Sequence, residues 1–170
     1  MKFLNTYISL QEIPGEISLI FNITNCPHRC IGCHSKELWA DLGTDLSDSM
    51  YISLLEKYSK YISAVVFFGG EWDYDLVKLL LIAKNFSLKT CLYTGAEDVN
   101  KEIKKQLNYL KTGPYISNLG GLDSINTNQK FLDLDKNIEL NYLFQRNSKT
   151  QTHTSTTQGE TNVETNEGTN

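Results

Sequence analysis

Cys26, Cys30 and Cys33 stand in the string Cys26-Pro27-His28-Arg29-Cys30-Ile31-Gly32-Cys33-His34, a C-x3-C-x2-C spacing. Closely spaced cysteines in a reducing compartment are more often metal ligands or catalytic groups than disulfides. A [4Fe–4S] cube has four iron corners, so three cysteines leave one iron open to a molecule that is not protein. An open iron suits chemistry better than electron storage. Zinc is the alternative. It takes four ligands, commonly as two separated pairs, whereas His28 and His34 are crowded into the same loop. An electron-transfer cluster needs a fourth cysteine, and Cys91 is the one remaining. Cys91 lies in the strand-like string 88–94 and reads as a small buried hydrophobe. A third alternative, unligated thiols, leaves reactive groups in a loop without a use.

A second candidate is Gly69-Gly70-Glu71, directly after the apolar run 64–68. Paired glycines at a strand end permit a turn and close approach of a ligand to the backbone. Glu71 adds an acceptor for an ammonium group. Tyr93-Thr94-Gly95 ends the next apolar run. Paired carboxylates and Ser/His/Asp arrangements are not evident, so Glu71 reads as a binder rather than a base.

These groups need elements to hold them. Residues 17–24 are β-branched and apolar, a strand that runs straight into the cysteine string. Tyr51, Leu54 or Leu55, Tyr58 and Ile62 recur at helical spacing, predicting a helix over 48–61 capped by Ser47 or Asp48. Residues 64–68 read as a buried strand, 73–86 as a helix with Asp73 near its start, and 88–94 as a strand. Val99, Ile103 and Leu107 mark another amphipathic helix. Residues 109–111 form a strand stopped by Gly113-Pro114, and 129–134 and 138–143 two late strands. The alternation predicts βαβ units and a parallel sheet, with ligands at the carboxyl ends of strands. The chain, at 170 residues, is too short for a complete eight-unit barrel, which needs roughly 250 residues. A partial, open α/β barrel in a single domain is expected.

The formal net charge is −4, which gives no case for nucleic acid as the main partner. No apolar run approaches a membrane span and the first residues lack signal-peptide features, so the expectation is a cytoplasmic protein. The domain is expected to cover 1–146. Residues 147–170 are Thr, Asn, Gln, Glu, Gly and Ser with little else, a composition expected to remain disordered. His153 falls in that tail and needs no functional account.

The cysteine string and Gly69-Gly70-Glu71 together resemble the radical S-adenosylmethionine (SAM) superfamily. Cys30-Ile31-Gly32-Cys33-His34, with Trp39 beyond it, is similar to the corresponding string of glycyl-radical-enzyme activases. Lys111-Thr112-Gly113-Pro114-Tyr115 and Asn128-Gln129 resemble segments of the activating proteins of anaerobic ribonucleoside-triphosphate reductase. The resemblance implies a [4Fe–4S] cluster on Cys26, Cys30 and Cys33, with SAM on the open iron. It places Gly32, Cys33 and His34 beside SAM, Gly70 and Glu71 at its methionine end, and Thr94 at the third strand end. His34 also reads as a loop histidine bonded to backbone.

Many superfamily members carry an aromatic residue before the third cysteine, packed on adenine. Here Gly32 takes that place, as it does in activating proteins of this kind. The implied reaction is reductive cleavage of SAM to methionine and a 5′-deoxyadenosyl radical, which makes a glycyl radical on the reductase. A flavodoxin-like or similar protein is the implied electron donor. Alternatives are another small radical SAM enzyme, such as a different activase or a deazapurine synthase, or a non-catalytic Fe–S or zinc module.

Overall fold

The computed structural model describes residues 1–145. The expected tail, His153 included, lies outside the described residues. One mixed sheet forms the body, from β1 (Lys2–Ser9), β2 (Ser18–Ile23), β3 (Thr44–Asp45), β4 (Ala64–Phe68), β5 (Lys89–Tyr93), β6 (Tyr109–Thr112), β7 (Lys130–Asp133) and β8 (Ile138–Glu139). The strand order is β3-β1-β2-β4-β5-β6-β7-β8. Strands β2, β4, β5 and β6 run parallel. The flanking pairs are antiparallel and the sheet is open. The predicted βα alternation thus builds the middle of the sheet, while its two edges follow hairpin-like rules.

Parallel strands are buried on both faces, which is why 64–67 is an unbroken apolar run. Alternate residues divide between two cores. Phe21, Val65, Phe67, Leu92 and Leu110 face the helices α1 (Asp48–Tyr58), α2 (Asp75–Asn85) and α3 (Lys101–Lys104). Tyr51, Leu55, Leu76, Leu79, Leu80 and Ile103 meet them there. Ile20, Ala64, Val66, Cys91, Tyr109 and Phe131 form the core on the opposite face. Ser47 caps α1 by accepting from the Met50 N–H, as expected.

Three expectations change. The helix marked by Val99, Ile103 and Leu107 is a single turn, because the Asn100 side chain caps it by accepting from the Ile103 N–H, leaving Val99 outside. The last strand is Ile138–Glu139 only. Asn141 replaces its continuation: the Asn141 amide accepts from the Phe131 N–H at 2.7 Å and donates to the Gln129 carbonyl at 2.7 Å. Strands β1 and β3 were not expected. The register of β1 on β2 shifts between Phe3 and Thr6, a bulge-like irregularity that breaks the period-two pattern by which a strand is recognised.

Candidate functional site

The carboxyl ends of the parallel strands open onto a cavity of about 600 Å³. Cross-strand register sets its floor: Asn22 pairs with Phe68, Phe68 with Tyr93 and Tyr93 with Lys111. Cys26, Cys30 and Cys33 all line this cavity, along with His28, His34, Thr94, Gly95 and Lys111. The three cysteines are free and half-buried.

The cysteine loop leaves β2 through Asn25, whose φ of 63° lies in the left-handed region that Asn tolerates. Two backbone bonds pin its entry, Asn25 N–H to the Ala40 carbonyl at 3.0 Å and Cys26 N–H to the Leu38 carbonyl at 2.9 Å. Cys33 N–H closes a turn on the Cys30 carbonyl at 3.1 Å, and the Ser35 N–H is directed at Cys33 Sγ at 3.4 Å. Burial pushes the Cys26 thiol up, while backbone N–H groups of His28 and Arg29 act in the opposite direction.

Among the described residues no three Cys, His, Asp or Glu side chains converge on a single-ion site. The donor set suits an iron–sulfur cluster instead: three thiols from one loop, round one cavity, with a backbone N–H offered to a sulfur. Cys91 is not a fourth ligand. It is fully buried in β5 among the core residues opposite the helices, and burial raises its thiol well above the ordinary range.

The second motif is placed differently from the first. Gly69 and Gly70 have φ of 81° and 107°, so the turn after β4 depends on glycine. Gly69 lies under the Trp72 ring; a methyl group there would come within 2.5 Å of Cη2. Gly70 and Glu71 do not line this cavity: Gly70 faces Met1 and Ile23, and Glu71 borders a separate cavity of about 340 Å³ with Trp72 and Asp73. Glu71 is joined to the wall of the first cavity through two residues that do line it. Its Oε1 lies 2.6 Å from His28 Nε2 and accepts from the Thr94 hydroxyl. That spacing needs His28 Nε2 to carry the proton when Glu71 is ionised. Thr94 Oγ1 in turn accepts from the Ala96 N–H at 2.9 Å. The other carboxylate oxygen, Oε2, is buried without a partner among the described residues. Gly95 completes the arrangement, since any side chain there would meet the His28 ring at 3.0 Å.

Cys33, His34 and Thr94 thus reach the cavity and Glu71 stands behind it. Gly32, with φ of 80°, sits against Tyr115 and Ser117. Tyr115 also packs on His34, with ring centroids 4.8 Å apart, so His34 has an aromatic neighbour as well as a loop position. The later segments come together too. Asn128 Nδ2 donates to the Pro114 carbonyl at 2.9 Å, and Gln129 Nε2 reaches the Gly113 carbonyl at 3.5 Å.

Sequence reasoning did not identify His28 as the partner of Glu71, nor Lys111, Trp72 and Tyr115 as cavity residues. The motif around Lys111 was the one signal available for it. Lys111 is buried, and desolvation lowers its pKa to about 8, with the Cys30 and Glu71 charges opposing that shift. Among the described residues no helix is long and apolar enough to cross a membrane.

A family model described as "4Fe-4S single cluster domain" matches residues 14–119. That span contains the three cysteines, Glu71, Thr94 and Lys111. No curated protein matches the chain.

Proposed function

The chain belongs to the 4Fe-4S single cluster domain family, and on that premise we propose that it is a radical SAM activase of partial-barrel type. Its partner in this reading is the glycyl-radical subunit of an anaerobic ribonucleoside-triphosphate reductase. With cluster and SAM bound, the chemistry supplied is one-electron cleavage of SAM to methionine and a 5′-deoxyadenosyl radical that takes a hydrogen from the partner's glycine.

The observation that carries the reading is Glu71 Oε2. A buried carboxylate oxygen without a partner is costly, and its carboxylate is tied by His28 and Thr94 to the cavity that the three cysteines line. An ammonium group is the complement it lacks, and SAM carries one on its methionine moiety. Cys26, Cys30 and Cys33 would hold the cluster. His28 and Thr94 fix the orientation of Glu71 through its other oxygen. Tyr115 and His34 offer aromatic surface next to Gly32, where a flat base can pack. Phe68, Trp72, Leu122 and Phe144 add apolar wall that keeps water away from a reactive species. None of these side chains has to move a proton, so the protein's work is positioning and exclusion of water.

The test is anaerobic reconstitution with iron, sulfide and reductant, followed by assay of 5′-deoxyadenosine from SAM. Zinc in place of iron, with no 5′-deoxyadenosine, would end the enzymatic reading. Electron paramagnetic resonance of the mixture with the reductase then checks the partner: a glycyl radical doublet is expected, and SAM cleavage without one would reject that partner.

A further inference from the structure

Lys111 is a buried cation that the proposed chemistry has not used. It is 8% exposed and lies on the cavity side of β6, paired in register with Tyr93 on one side and Phe131 on the other. Its Nζ donates to the Gly113 carbonyl at 2.9 Å and reaches the Thr94 carbonyl at 3.5 Å. Those two main-chain oxygens are its hydrogen-bond partners among the described residues, and no carboxylate there stands within ion-pair distance. Glu71 is turned to His28 and Thr94 instead.

An ammonium buried out of ion-pair reach of every described carboxylate is costly, and an apolar side chain would fill the position without that cost. Within the folded chain the Cys30 and Glu71 charges favour the ammonium from beyond ion-pair distance, so a close counter-charge has to come from a bound group. The cavity points to its source, because the same space is lined by Cys26, Cys30 and Cys33. Three thiolates carrying an iron–sulfur cluster bring negative charge to that space, and one-electron reduction adds more.

We propose that Lys111 is the fixed counter-charge of the cluster, raising its reduction potential by stabilising the negative charge gained on reduction. Cluster potentials respond to net charge, hydrogen bonding and solvent exposure, and a charge held away from water acts more strongly than one in it. The electron comes from an external one-electron reductant and resides on the cluster; Lys111 makes and breaks no bond. The carbonyls of Thr94 and Gly113 hold Nζ in place, so the charge does not swing away to solvent. The proposal rests on the cluster family and is independent of SAM cleavage.

The experiment uses the full chain with its cluster reconstituted, without SAM. Midpoint potentials are measured by dithionite titration followed by electron paramagnetic resonance, for wild type, Lys111→Gln, Lys111→Met and Lys111→Arg. The neutral variants are expected to show a reduced-to-oxidised ratio at least tenfold lower at a fixed potential, equivalent to 59 mV for a one-electron couple. Lys111→Arg is expected within threefold of wild type. Loss of the cluster from both neutral variants, with retention in Lys111→Arg, supports the same conclusion, since charge then holds the anionic cluster in place. Wild-type midpoints in the neutral variants overturn the proposal. So does an Arg variant shifted as far as the neutral ones, or loss of the cluster in all three, which makes Lys111 a packing element.

Discussion

His28 Nε2 lies 2.6 Å from Glu71 Oε1, and this contact ties the loop of three cysteines to the end of β4. The two residues are 43 positions apart. His28 is held between the cysteines that flank it and the Gly95 backbone on which its ring rests. Glu71 keeps one oxygen for His28 and Thr94 and leaves the other unpartnered. The loop that would hold the metal and the residue that would hold an ammonium are therefore one connected unit.

Glu71→Gln keeps the shape and removes the charge. Cluster content is expected to remain at the wild-type level, while SAM binding to the reconstituted protein weakens about 10- to 100-fold, the range for a hydrogen bond to a charged group. Equilibrium binding by calorimetry reads this, and an unchanged Kd removes Glu71 as the ammonium holder. His28→Ala should likewise keep the cluster, yet destabilise the fold by about 1–3 kcal/mol by stripping a partner from a buried carboxylate.

The cysteines divide into two classes. Cys30→Ala should abolish [4Fe–4S] incorporation, measured as iron, sulfide and visible absorbance. Cys91→Ala should incorporate a full cluster and lose about 1 kcal/mol of stability to the small cavity left in the core. Equal loss of cluster in both variants would show that the division drawn from burial is wrong.

Lys111 makes the metal-free protein pH-sensitive. Its folded pKa is lowered from 10.5 to about 8, so between those values the unfolded chain binds the proton more tightly and stability rises with pH. A shift of that size corresponds to about 3 kcal/mol at most. Below pH 8 the whole cost is present. Lys111→Met should therefore raise the urea midpoint of the metal-free protein at pH 7, by a margin that shrinks as pH approaches 10. A margin that stays constant across that range contradicts the assignment.

Gly69→Ala adds a side chain at φ 81° and drives a methyl group into the Trp72 ring. Left-handed backbone strain and ring displacement together should cost about 1–3 kcal/mol. Trp72 lines the cavity, so its fluorescence should change with the same substitution. Wild-type stability and emission in this variant would mean that the turn after β4 is freely remodelled.

The central strands were legible because burial on both faces leaves uninterrupted apolar runs, as at Val65, Val66 and Phe67. The cysteine ligands were legible because their spacing is local. Strand β1 was not, because its register slips between Phe3 and Thr6 and its alternation breaks with it. The last strand was overread because Asn141, an ordinary polar residue in the sequence, substitutes its amide for ladder hydrogen bonds.

Residue types and short spacings alone determined three thiols in one loop, a glycine turn with a carboxylate beyond it, and an α/β alternation to carry both. Tertiary structure alone decided which side chains share the cavity. Asn22, Phe68, Tyr93 and Lys111 become neighbours through strand register, and His28 meets Glu71 through the docking of a loop on a turn. The physical reason is that such contacts join residues distant along the chain. They are set by how the parallel strands align and which face each side chain takes, and no local pattern encodes that pairing.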